Sequence, residues 1–241
     1  MPRHAIVIAE GGYIFPALGE RYCLDNAKQN AEIIYSWMRN GLIQKVARLC
    51  QEQVILKQIR YYDCYSYDDT SPHVEKPKTN ERNVTNRDYF INEFKKMPIV
   101  FFRPGKLRLN GVKPAKQITS YQKFEDGIVK FVLTEKDLKK NYQQKGVDTL
   151  IAMDAYQIIT ERHADLLIFI TDDSDFTPLF ELARSKGVTI VIHPMHFKRN
   201  PTGPLLEHSD YVVRLEPNEI LLKLKSSAGG TIESGIDSAL S

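Results

Sequence analysis

Three carboxylates fall within four residues at Asp172-Asp173-Ser174-Asp175, directly behind the apolar run Leu166-Leu-Ile-Phe-Ile-Thr171. Acids this close repel one another, and a folded chain retains them when something offsets the charge. A divalent cation does so directly, and hard oxygen donors suit Mg²⁺ or Mn²⁺, which take one or two carboxylates and keep several waters for a phosphate to displace. The plainer alternative is that one aspartate caps a helix starting near Phe176 while the others sit solvated in a loop. Two further acids bear on the choice. Glu10 ends the short apolar run Ala5-Ile-Val-Ile-Ala9, and Asp148 sits in the first turn of a helical pattern over 147–162.

These points share a crevice only if particular elements position them. The Ala5 and Leu166 runs read as strands buried on both faces, and ligands of open parallel sheets bind outside the strands' C-terminal ends. With those two strands near one another, Glu10, Asp148 and the Asp172 to Asp175 block converge, which is the argument for a metal site. The Leu166 strand, a helix to about Lys186 stopped by Gly187, and the strand Val188-Thr-Ile-Val-Ile192 form a parallel βαβ unit. Gly11-Gly12 reads as a sharp turn into a loop. Helical composition runs from Asp25 to about Gln53, with a break at Asn40-Gly41 and a core stripe of Ile33, Ile34, Trp37 and Met38.

The middle of the chain is harder to order. Gln58 to Tyr65 has strand character, and Ser66 to Arg87 turns polar and reads as a solvated insertion. Ile99-Val-Phe-Phe102 and Lys106-Leu-Arg-Leu109 flank Arg103-Pro-Gly105, which reads as a hairpin. A basic, irregular stretch follows to Lys145, interrupted by Tyr121 and Phe124. Such a charge run is ordinarily a wet face. Tyr211 to Leu215 is a last short strand, a closing helix starts near Pro217, and Ser226 to Ser241 reads as a flexible tail.

Composition narrows the function classes. The 241 residues are 42% hydrophobic and 26% charged, and a net charge of +3 permits a nucleic-acid partner without demanding one. Cys23, Cys50 and Cys64 lack metal-ligand or redox spacing, which argues for idle thiols in a reducing, cytoplasmic setting. No signal segment opens the chain, and no apolar run nears the roughly 20 residues of a membrane helix. His163, His193, His196 and His208 read as loop or surface residues, since no third zinc ligand presents itself. Gly11-Gly12 without a third glycine is poor support for a dinucleotide fold.

The residues that carry the acidic argument resemble the NYN, or LabA-like, branch of the PIN-domain nuclease superfamily. The matching pieces, in order, are Ile8-Ala9-Glu10-Gly11-Gly12-Tyr13, Lys145-Gly146-Val147-Asp148, and Thr171-Asp172-Asp173-Ser174-Asp175-Phe176 with Arg184-Ser-Lys-Gly187 behind it. Arg60-Tyr61-Tyr62-Asp63 and Leu205-Leu-Glu-His-Ser-Asp210 are weaker echoes. Two positions depart from the family pattern: Glu10 stands where aspartate is usual, and Asp172 where glycine is usual.

The resemblance implies a three-layer α/β/α sandwich around a central, mainly parallel sheet. It would span residues 1–225, with an inserted irregular region at about 66–140 and the tail 226–241. It also implies metal-dependent hydrolysis of phosphodiester bonds in RNA, or single-stranded DNA, through Mg²⁺ or Mn²⁺ held by Glu10, Asp148, Asp173 and Asp175. Ser174 then caps the helix or orients a water, Asp172 is an extra outer ligand or faces solvent, and Asp154 braces the site or serves a structural hydrogen bond. Lys145, Arg103, Lys198 and Arg199 are candidate phosphate contacts, and a homo-oligomer is compatible with all of this. The rival reading is a weakened module of the same fold that binds RNA or a protein partner, its site degraded by Glu10.

Overall fold

A computed structural model describes residues 1–18, 27–65, 81–114, 122–125, 128–131, 138–194 and 203–214. The closing helix expected at Pro217, the tail, Cys23, His196, Lys198 and Arg199 lie outside the described residues. Along the chain run β1 (Arg3–Glu10), α1 (Gly11–Leu18), α2 (Ala27–Ser36), a π-turn (Trp37–Leu42), α3 (Ile43–Cys50), β2 (Val54–Cys64) and α4 (Glu81–Phe94). Then come β3 (Val100–Pro114), β4 (Gln122–Glu125), β5 (Ile128–Phe131), β6 (Leu138–Lys145) and α5 (Val147–Thr160). The chain continues with β7 (Leu166–Ile170), a 3₁₀ turn (Ser174–Phe176), α6 (Thr177–Ser185), β8 (Thr189–Ile192), α7 (Pro204–His208) and β9 (Tyr211–Val212).

The central sheet has the order β6-β3-β2-β1-β7-β8-β9, with every neighbouring pair parallel except β3 and β6. Side chains of β1 alternate between two cores, as the period of two along a strand requires. Ala5, Val7 and Ala9 pack with α2, the π-turn, α3 and α4, while Ile6 and Ile8 pack with α5, α6 and α7. β7 repeats this split, with Leu166, Ile168 and Ile170 on the first side and Leu167 and Phe169 on the second. Both strands are therefore covered on both faces, and the three-layer α/β/α sandwich is as expected. The β7-α6-β8 unit is parallel, as its sequence anticipates.

Several expectations are corrected. Gly11-Gly12 opens a helix rather than a loop, and a side chain at Gly11 would overlap the Asp63 carboxylate and the Tyr61 hydroxyl. Asn40-Gly41 does not break the helix but sits inside the π-turn, where a Cβ on Gly41 would lie 3.2 Å from the Trp37 ring. The 66–140 region is not irregular throughout. Glu81 to Arg87 belong to α4, which buries Phe90, Ile91 and Phe94 against Tyr61.

Arg103-Pro-Gly105 is no hairpin turn, because β3 runs straight through it. Its first half, Val100–Gly105, pairs with β2, and the half from Lys106 onward pairs with β6. Pro104 thus lies where the β6 side of the strand is unpaired, and its missing N–H costs no ladder bond there. The basic stretch that follows forms strands: β4 pairs with β5, and β6 returns along β3.

Among the described residues no helix is long and apolar enough to cross a membrane.

Candidate functional site

Glu10 is the last residue of β1 and continues its Ile6 and Ile8 side, the side that α5 covers. Ala9 pairs with Ile170, so the next step along both strands sets Glu10 beside Thr171, and the Thr171 hydroxyl donates to Glu10 Oε2 at 3.0 Å. Thr171 Oγ1 in turn accepts from the Asp173 backbone N–H at 3.2 Å. This short relay fixes the direction in which the chain leaves β7. Thr171 is not among the expected site residues, although a hydroxyl residue between a buried strand and an acid block is a readable signal.

Asp148 arrives from the other side of the crevice. Gly146 adopts φ 83°, a conformation that favours glycine, and turns the chain from β6 into α5. Asp148 stands exposed in the first helical turn, where a negative charge is favoured by the helix dipole.

Asp173 is the capping residue of the 3₁₀ turn, its Oδ1 accepting from the Asp175 N–H at 2.9 Å. Ser174 is not the cap. Its carbonyl accepts from the Thr177 hydroxyl at 2.7 Å. Phe176 anchors the turn by inserting beside Phe169 in the α5 and α6 core.

Electrostatics tie the acids together. Burial first, and then the charges of Asp148, Asp173 and Asp63, raise the Glu10 carboxyl to about 7 against the opposing Thr171 hydrogen bond. Burial, then Asp173 and Asp175, raise Asp148 as well. Glu10 thus feels the charges of Asp148 and Asp173, and Asp148 those of Asp173 and Asp175, at one end of the sheet. As they stand, no three His, Cys, Asp or Glu side chains among the described residues form a ready cage for an ion. The donors are nonetheless hard oxygens whose repulsion a divalent cation would relieve, so the residues present fit such an ion in chemistry.

Asp172 does not simply face solvent. It is half-buried near Tyr13, whose pKa is raised by burial and then by Asp172. Asp154 is buried and structural: it accepts from the Tyr62 hydroxyl at 2.8 Å and pairs with Arg60 and Arg103, each at 3.3 Å. Arg103, a candidate phosphate contact, is therefore held against α5. Lys145 is exposed at the end of β6, three residues before Asp148.

Asp63 and Arg87 have no assigned role in the sequence. Asp63 lies wholly buried on the opposite face of the sheet, accepting from the Tyr61 hydroxyl at 2.7 Å, the Cys64 N–H at 2.7 Å and Arg87 Nε at 3.1 Å. An acid ending a strand beside β1 is a signal for Asp63. Nothing in the polar stretch around Arg87 announces its partner. Cys64 is a buried thiol pushed up to about 11 by burial and then by Asp63, which leaves it unreactive near neutral pH.

His193 is not on the surface. It is fully buried at the end of β8, edge-on to Trp37 at 4.9 Å, and burial lowers its pKa to about 3. His163 stands 3.0 Å from Glu161, and His208 stands 3.5 Å from Glu181.

Comparison with known proteins adds the following. The NYN domain model matches residues 65–216, a span that includes Asp148, Asp173 and Asp175 and begins after Glu10 and Asp63. A crystal structure of a protein of unknown function from Vibrio parahaemolyticus aligns with a TM-score of 0.44 at 15% identity, covering 90% of this chain and 96% of that one. No curated protein matches the chain.

Proposed function

The chain belongs to the NYN domain family, a PIN-like nuclease domain family, and from that premise we propose that it is a metal-dependent ribonuclease. The observation that carries the reading is the electrostatic coupling of Glu10, Asp148 and Asp173 at the C-terminal edge of the parallel strands β1 and β7. Glu10, Asp148, Asp173 and Asp175 would hold Mg²⁺ or Mn²⁺. Held by these residues, such an ion would supply acidification of a bound water and neutralisation of phosphoryl charge.

The chain's own residues do the positioning. Thr171 donates to Glu10 Oε2, so Oε1 is the oxygen that would serve as a ligand. Asp173 gives Oδ1 to its own turn, so its second oxygen is the one available as a ligand. Asp175, exposed at the rim, adds negative charge beside Asp148 and helps draw a cation inward. Lys145 is placed to meet a phosphate next to Asp148, and Arg103, neutralised in part by Asp154, offers its remaining N–H groups. Lys198 and Arg199 stay candidates on sequence alone.

A second reading is supported by the lack of a ready three-ligand cage among the described residues and by the raised Glu10 carboxyl. In it the chain is a weakened module that binds RNA or a protein without cutting. Incubating the purified protein with labelled RNA and single-stranded DNA in Mg²⁺, Mn²⁺ or chelator separates the two. The ribonuclease reading expects RNA cleavage that needs metal and disappears in Asp148→Asn and Asp173→Asn. Cleavage that persists in chelator or in both variants overturns it. Intact RNA together with no heat on titrating Mn²⁺ supports the module.

A further inference from the structure

β3 and β6 form an antiparallel ribbon at the edge of the sheet, and neither strand contains an acid. Their backbone register sets lysine opposite lysine twice: Lys106 opposite Lys145, and Lys113 opposite Lys139. In the separate β4–β5 pair the backbone register sets Lys123 opposite Lys130. Directly opposed like charges destabilise an antiparallel pair, and a sheet edge can be kept soluble by scattered lysines without stacking them. With a net charge of only +3 over the whole chain, this concentration is local. Lys106, Lys113 and Lys145 are exposed.

The ribbon also has a direction. β6 ends at Lys145 and passes through Gly146 into the first turn of α5, which carries Asp148. Its Lys106 and Lys145 end therefore adjoins the acidic crevice, and its Lys113 and Lys139 end lies farther out. Between them, a one-residue irregularity after Leu109, with Gly111 at φ 69°, bends β3 and increases the local twist.

We propose that the β3–β6 ribbon is a docking surface for the phosphodiester backbone of an RNA strand, which it leads toward the Asp148 crevice. Regularly spaced phosphates match paired cations along a ribbon, and neutralising them releases counterions. A flat anionic membrane would favour a ribbon without a bend and without exposed acids such as Asp148 beside it, so it is the poorer partner. That the strand ends in a cutting site rests on the ribonuclease reading; its binding to the ribbon does not.

The test measures binding of labelled single-stranded uridine RNA in chelator, where metal-dependent cleavage is absent, across a range of salt. Lys113→Glu is expected to weaken binding about 5- to 10-fold and to flatten the slope of log affinity against log salt by about 0.7 or more. The same change converts an opposed Lys–Lys pair into a Lys–Glu pair, so Tm should hold or rise, which separates lost binding from lost folding. Lys139→Glu, from the other strand, should reproduce the loss. Lys57→Glu, exposed on β2 before the paired β3 segment, should not.

Unchanged affinity and salt slope in Lys113→Glu, or an equal loss in Lys57→Glu, overturns the proposal. So does tighter binding to phosphatidylserine vesicles than to RNA. RNA bound in chelator but left intact in Mg²⁺ and Mn²⁺ sinks the ribonuclease reading and leaves the ribbon standing. Metal-dependent cleavage with KM unaffected by Lys113→Glu does the reverse.

Discussion

The two faces of one sheet edge treat their acids in opposite ways. On the α4 face, Asp63 is fully buried and completely answered by the Arg87 guanidinium, the Tyr61 hydroxyl and a backbone N–H. Deeper under the α5 face, Asp154 has Arg60, Arg103 and Tyr62. At the rim of that same α5 face, Glu10 and Asp148 meet mainly burial and other carboxylates, with a single threonine hydroxyl on Glu10. Acids needed only for folding are neutralised by the chain itself. Those at the rim are left in tension, and that difference is what supports the proposal that the rim is the working part of the molecule.

The contrast can be broken most decisively at the rim. Asp148→Asn should cut metal-dependent RNA cleavage by at least about 100-fold, or about 3 kcal/mol of barrier, while Tm stays level or rises as repulsion is relieved. A fall in Tm with activity retained would make Asp148 a structural acid like Asp63. On the other face, Arg87→Ala should lower unfolding stability by about 3 kcal/mol in denaturant titration, because the buried Asp63 carboxylate loses its counter-charge. No change there would remove the distinction between the faces.

A third way of handling a buried titratable group is to keep it neutral. His193 has its folded pKa lowered to about 3, so between the ordinary histidine value and pH 3 the unfolded chain binds the extra proton. Stability therefore falls as pH drops through that window, by about 2 kcal/mol from this residue between pH 6.5 and 5. His193→Leu should flatten that part of a stability against pH curve. Smallest of all, Tyr62→Phe removes one of three donors to Asp154 and should cost about 1 kcal/mol by thermal melt, since Arg60 and Arg103 remain.

The readable parts of this chain are those whose surroundings are uniform. β1, β7 and β8 are apolar runs because both faces are covered, and the acids at their ends stand out against that background. The helix α4 was hidden, since its first turns are polar and its buried residues Phe90, Ile91 and Phe94 come late. Pro104-Gly105 imitates a turn because a strand that changes partner midway tolerates what a fully paired strand does not. Which acid caps the turn, Asp173 rather than Ser174, is decided by the geometry with which the chain leaves β7. Likewise the Asp63–Arg87 pair joins residues 24 apart across elements whose packing local pattern does not encode.

The π-turn at Trp37–Leu42 carries a further consequence. Successive α-helical residues advance by about 100°, and a wide turn accommodates a surplus residue without passing the error onward. The surplus shifts the angular phase of α3 relative to α2, so that Val46 points inward and Lys45 reaches the Arg214 carbonyl at 3.1 Å. Removing one residue from this turn would straighten the helix and rotate everything beyond it, carrying Val46 toward water. A locally better helix would thus make a worse protein.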